Sequence, residues 1–189
     1  MINYYNSKIK LPSDIKLVIF DMDGLMFDTE NLICEIMEKA SHEFGYNITK
    51  DIMAKTIGLN RENTKKIVTG FFDDKFDYDK INELKRKYFR EHIDTFGVPK
   101  KRGLIELLDF LDNVKIEKAV ATSTREESAK YCLQKADIYK YFDAFVYGDM
   151  VENGKPHPDI FLKACQMCNK LPEECIVLED SPSRNSRSI

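Results

Sequence analysis

Ile15-Lys-Leu-Val-Ile-Phe-Asp-Met-Asp-Gly-Leu-Met-Phe-Asp-Thr-Glu30 passes from an apolar run straight into acids. A run such as Leu17 to Phe20 reads as a strand buried on both faces, as in a parallel sheet. A carboxylate at the end of that strand falls at the sheet's C-terminal edge, where open α/β sheets keep their ligands. Asp21 and Asp23 alternate with Met22, so in extended geometry both side chains face the same way. Gly24 lets the chain turn sharply. Clustered carboxylates repel one another unless a cation or a proton joins them, so the pair predicts a metal. From Asp-x-Asp-Gly alone, a polar turn closing a strand is an equally good reading. A calcium loop is a poorer one, since a third oxygen ligand before the glycine and a closing Glu are both missing.

Outward from this stretch the rhythm changes twice. Asp28 to Phe44 carries Leu32, Ile33, Ile36, Met37, Ala40 and Phe44 near helical period, and Gly45 ends it. Asp51–Ile57, Glu62–Phe72 and Asp79–Phe96 are also helical, with Asn60 as a cap and Gly97-Val-Pro99 as a stop. From Arg102 the pattern alternates. A helix begins at Leu104, and Glu117–Ala121, Ala144–Tyr147 and Cys175–Leu178 read as strands. Arg125–Ala136 and Asp159–Asn169 read as helices between them. Such alternation implies a parallel sheet. The expected architecture is an α/β, Rossmann-like core of residues 15–27 and 100–189, with a helical block at 28–99 inserted after the first strand. Residues 1–14 read as a mobile N-terminal arm.

Composition excludes several classes. The chain has 189 residues, 43% hydrophobic and 32% charged, which suits one core with an insertion. A net charge of −3 with interspersed signs does not point to nucleic acid. No apolar run approaches the roughly 20 residues of a membrane span, and the start lacks a signal-peptide core, so the expected location is the cytoplasm. Of the five cysteines, Cys165 and Cys168 follow a helical apolar pattern and Cys175 opens a strand, so core packing is favoured over zinc or redox chemistry. His42, His92 and His157 have no spacing partners for a metal site.

Three further features fall at strand exits. Thr122, in Ala119-Val-Ala-Thr-Ser-Thr124, offers a hydroxyl and neighbouring amides suited to phosphate, although simple helix capping is the commoner use of Thr and Ser there. Lys155, in Gly154-Lys-Pro-His-Pro-Asp-Ile-Phe161, has a restricted backbone and can offset phosphoryl charge; the alternative is a solvated loop lysine. Glu179 and Asp180 close Ile176-Val-Leu-Glu-Asp-Ser181 and would supply hard oxygen ligands, or form an ordinary turn.

Together, Asp21/Asp23 with Asp28-Thr29, Thr122, Lys155 and Glu179/Asp180 resemble motifs I to IV of the haloacid dehalogenase-like superfamily, in its β-phosphoglucomutase-like branch. The resemblance spans nearly everything from Ile15 to Ser181 and implies an enzyme, a phosphoric monoester hydrolase acting on a small phosphorylated metabolite. It implies Asp21 as nucleophile, forming an aspartyl-phosphate, and Asp23 as general acid and base. Thr122 and the Ser123 amide would bind phosphate, with Lys155 steadying the phosphoryl group. Mg²⁺ would be held by Asp21, the Asp23 carbonyl, Asp180 and Glu179.

The helical block then becomes a cap, and Ile57-Gly-Leu-Asn-Arg61 looks like the family's specificity loop, with Gly58 turning and Arg61 reaching substrate. Arg61 as a solvated helix-start residue is an equal alternative. Mutases of this branch carry a histidine where Ile33 stands, which favours hydrolysis over a phosphomutase. Asp23 argues against dehalogenation. The string is similar to pseudouridine-5′-phosphatase-like and sugar-phosphate phosphatases. After Ser181 the chain departs from the family, with Arg184 at an expected glycine and a final helix-strand unit of about thirty residues missing. This ending reads as a truncation that would leave Cys175–Leu178 as an edge strand. A weakly active fold serving as a binding module is therefore a third expectation, and the state expected is a monomer or weak dimer.

Overall fold

The computed structural model describes residues 14–56 and 61–180, Arg61 through its backbone alone. The expected arm, the Gly58 position, the Asn60 cap and the polar ending at 181–189 lie outside the described residues. In chain order the elements are β1 (Leu17–Phe20), α1 (Glu30–His42), α2 (Lys50–Ala54), α3 (Arg61–Thr69), α4 (Tyr78–Phe96), α5 (Leu104–Asn113), β2 (Glu117–Ala121), α6 (Glu126–Lys135), β3 (Ala144–Val146), α7 (Asp159–Met167) and β4 (Cys175–Leu178). Single 3-10 turns at Tyr139–Tyr141 and Pro172–Glu174 lead into β3 and β4.

The strands pair in the order β3-β2-β1-β4, every pair parallel. Both faces of β1 are buried, which explains why its sequence shows no alternation. Leu17 and Ile19 pack with Ala119, Ala121, Ala144 and Val146 and with Ile160, Phe161 and Ala164 of α7. Val18 and Phe20 pack with Val120, with Leu104, Leu108 and Leu111 of α5, and with Ala129, Cys132 and Leu133 of α6. The result is three layers, helices on either side of a sheet. Burial of each such side chain contributes about 1.5–3 kcal/mol, enough for β1 to anchor the sheet.

The helical block has an apolar cluster of its own, built from Met37, Ala40, Ile48, Met53, Val68, Phe76, Tyr78 and Ile81. α1 and α4 form its main contact. Its helix ends differ from the expected ones by a few residues, because local capping sets them. Asp77 starts α4 by accepting the N–H groups of Asp79 and Lys80 at 3.1 and 3.2 Å. Thr49 starts α2 by accepting the Ile52 N–H at 3.4 Å. Two crossing linkers tie this block to the sheet. Asp28 N–H donates to the Pro99 carbonyl at 2.8 Å, Lys101 N–H donates to the Met26 carbonyl at 2.9 Å, and the Lys101 ammonium meets Asp28 at 2.8 Å.

The cysteines are all reduced, and Cys165 and Cys168 are buried in the cluster on α7, as core packing requires. His42 pairs with Asn47, the His92 ring lies against Phe96, and His157 pairs with Asp159. Among the described residues no histidine joins a group able to hold a metal, and no helix is long and apolar enough to cross a membrane.

Candidate active site

Register places the candidate residues. Phe20 is level with Val120 on β2 and with Leu178 on β4, so Asp21 and Glu179 leave adjacent strands at the same height. Asp21 N–H extends the pairing to the Leu178 carbonyl at 3.0 Å, and Thr122 N–H extends the next ladder to Val146 at 3.0 Å. The chain steps from β1 to β2 to β3 in one direction, then returns to the other side of β1 with β4. Strand order therefore reverses at β1, where doubly wound sheets open a ligand crevice.

Asp21 is 1% exposed. The Lys155 ammonium donates to its Oδ1 at 2.6 Å and to Glu179 Oε2 at 2.8 Å, with all three side chains essentially out of solvent. The Phe161 ring lies 4.9 Å from the ammonium and closes its apolar side. An ammonium is stable at such depth only when paired, so the lysine is fixed by its two carboxylates. A solvated loop lysine is the reading this geometry excludes. One carboxylate oxygen from each of Asp21, Glu179 and Asp180 lies within 4.8 Å of the others. Three carboxylates thus gather around the Lys155 ammonium, with the Lys101 ammonium also within electrostatic reach of Asp180, and these hard oxygen donors fit a divalent cation of the magnesium type.

Gly24 does more than turn the chain. It adopts φ +86°, and a Cβ there would collide with the Asp180 carboxylate. The glycine following the acids thereby makes room for a carboxylate from the far end of the chain. Asp23 turns to a different neighbour from Asp21: the Thr124 hydroxyl donates to its Oδ2 at 2.7 Å. Its backbone bridges to Phe27, which closes the turn.

Thr122 is 1% exposed, and its Oγ1 accepts the Thr124 N–H at 3.0 Å. Helix capping is not its role, for α6 is capped at Arg125 with no side-chain bond. The Ser123 backbone lies so close to Gly148 that a Cβ on the glycine would collide with the Ser123 carbonyl. Gly148 N–H also donates to the Thr124 carbonyl at 3.1 Å. The turn after β2 is thus clamped by the turn after β3. Beside Asp23, burial pushes the Cys132 thiol up to about 12, with the Asp23 charge adding to it, so this cysteine stays protonated and inert.

Asp21, Lys155, Glu179 and Asp180 therefore meet at one point, and Asp23, Thr122 and Ser123 share the same sheet edge. The sequence reading did not single out Thr124 or Gly148. A glycine just past an apolar strand is a signal of close backbone approach, and Gly148 carries it. Thr124 carries no distinguishing mark in the sequence Ala119-Val-Ala-Thr-Ser-Thr124. Arg61 is the first residue of α3.

The family model described as haloacid dehalogenase-like hydrolase matches residues 18–186. A phosphorylated carbohydrates phosphatase of Thermotoga maritima is 34% identical over 171 residues, covering 89% of this chain and 78% of the relative. A β-phosphoglucomutase of Bacillus subtilis is 27% identical over 173 residues, covering 88% and 76%. A crystal structure from Thermotoga maritima, provisionally assigned as a β-phosphoglucomutase, superposes with a TM-score of 0.73 at 32% identity, covering 89% and 78%.

Proposed function

The chain belongs to the haloacid dehalogenase-like hydrolases, and from that premise we propose that it is a Mg²⁺-dependent phosphatase for a small phosphorylated metabolite, a sugar or nucleoside phosphate. The observation that carries this reading is the buried Lys155 ammonium held between Asp21 and Glu179, with Asp180 completing an oxygen cluster. A carboxylate is a poor nucleophile toward an anionic phosphate unless cations lower the repulsion between them.

In the proposed reaction an Asp21 carboxylate oxygen attacks phosphorus and the bond to the leaving oxygen breaks. Asp23 gives that oxygen a proton, which completes an aspartyl-phosphate on Asp21. Asp23, now a base, takes a proton from water; the water oxygen attacks phosphorus, and inorganic phosphate leaves as Asp21 is regenerated. The Thr122 hydroxyl and the Ser123 amide hold the phosphoryl oxygens. Lys155 holds Asp21 in place and offsets charge on the transferring group. Asp21, the Asp23 carbonyl, Glu179 and Asp180 would hold Mg²⁺, which supplies further charge neutralisation when bound.

The helical block at 28–99 acts as a cap in this reading, with Gly58 and Arg61 in its substrate loop. The enzyme works in the cytoplasm as a monomer or weak dimer. Phosphomutase activity is the second reading, favoured by the mutase relatives. Against it, Ile33 stands where mutases of the branch carry histidine, and it packs on the apolar cluster of the helical block.

A phosphate-release screen across sugar and nucleoside phosphates, with and without Mg²⁺, tests the proposal. Mg²⁺-dependent release of inorganic phosphate without isomer formation is expected. Interconversion of sugar-phosphate isomers under a bisphosphate activator, without net release, would establish the mutase instead.

A further inference from the structure

We propose that Thr124 is a positioning residue for Asp23, setting the orientation from which that carboxylate gives and takes its proton. This rests on the acid-base role proposed above for Asp23. The Thr124 hydroxyl donates to Asp23 Oδ2 at 2.7 Å, joining two parts of the chain that are 101 residues apart. Its own placement is fixed from two sides. Thr124 N–H donates to Thr122 Oγ1 at 3.0 Å, and the Thr124 carbonyl accepts the Gly148 N–H at 3.1 Å. Gly148 in turn has no room for a Cβ against Ser123, so the two turns cannot slide past each other. A β-branched side chain on so constrained a backbone has few rotamers, and its hydroxyl is a preorganised donor.

One turn then has two tasks. Thr122 and Ser123 hold the phosphoryl oxygens, and Thr124, next in sequence, holds the group that transfers the proton. The distance between phosphorus and proton donor is then set within three consecutive residues. A misplacement near 1 Å can cost on the order of 100-fold in rate, so an anchored acid-base group is worth having.

The test is steady-state kinetics with para-nitrophenyl phosphate and Mg²⁺ on Thr124→Val, Thr124→Ser, Asp23→Asn and the Thr124→Val, Asp23→Asn pair, each checked for folding by thermal melt. Thr124→Val keeps shape and loses the donor. It is expected to lower kcat by about 10- to 100-fold, with KM within about three-fold of the parent. Thr124→Ser, which keeps the hydroxyl, should recover most of that loss. In the Asp23→Asn background Thr124→Val should cost little more, since its effect runs through Asp23. Parent-like kcat in Thr124→Val, or a Thr124→Ser variant as impaired as Thr124→Val, would overturn the proposal. So would an equal loss from Thr124→Val in both backgrounds. An undiminished Asp23→Asn enzyme would instead remove the acid-base reading itself, and this inference with it.

Discussion

Lys155 illustrates how one side chain can hold a site together before any ligand arrives. Its ammonium, fully buried, satisfies Asp21 and Glu179 at once. Lys155→Met leaves two carboxylates facing each other without their cation, and removing one partner of a buried pair typically costs about 3–5 kcal/mol. Urea unfolding in the presence of a chelator should register that loss. Added Mg²⁺ should restore more stability to the variant than it adds to the parent, because it relieves the same repulsion. Gly24 makes a second prediction at this scale. Gly24→Ala would both strain a backbone at φ +86° and push Asp180 aside. The Mg²⁺ concentration for half-maximal activity should rise several-fold, as read by a metal titration of turnover. Asp21, Lys155 and Asp180 were readable from sequence because acids and a constrained lysine at strand exits are chemically unusual. Thr124 was not, since a threonine in a turn has many uses and only its partner 101 residues away defines this one.

At the level of elements, the proposed site sits at strand ends that patterning found, while helix limits came from caps that patterning weighs poorly. Each strand's apolar run was visible, and β2 and β4 begin and end where expected. What sequence could not give was the register, which alone puts Asp21 beside Glu179. α4 shows the effect of a cap: the Lys80 N–H bonded to Asp77 holds its carboxyl below the ordinary range, against the opposing effect of burial. A folded-state pKa lowered in this way contributes stability above the unfolded value and loses it as pH falls through the folded one. Asp77→Ala should therefore melt lower than the parent near neutral pH, and the difference should shrink in acid. α1 is joined to the segment before α2 by a buried hydroxyl, Ser41, whose Oγ accepts the Ile48 N–H at 3.0 Å and donates to the Glu38 carbonyl at 2.8 Å. Ser41→Ala would orphan a buried donor at a cost of about 1–3 kcal/mol, measurable by denaturant unfolding.

For the molecule as a whole, the division of labour is between a sheet that fixes the acids and a helical block with its own apolar cluster. The block's helical character was readable from successive segments of helical period with no strand-like alternation between them; its seating on the sheet was not, because surface ion pairs and linker contacts have no sequence signature. Arg90 pairs with Glu127 and Lys135 with Asp94, both from α4 to α6, at exposed positions. Such exposed pairs contribute little to global stability, so their loss is expected to show locally, where the helical block joins the sheet, rather than in the melt. The Arg90→Ala, Lys135→Ala variant should melt close to the parent while amide exchange along 97–101 quickens. The chemistry proposed for the sheet edge turns on whether Asp21 takes up phosphate. Acid quenching of the enzyme during turnover of a phosphorus-labelled sugar phosphate, followed by peptide mass spectrometry, reads this. Label on the peptide carrying Asp21, absent from Asp21→Asn together with its turnover, is the expected result. Unlabelled enzyme with undiminished turnover in Asp21→Asn would contradict the account.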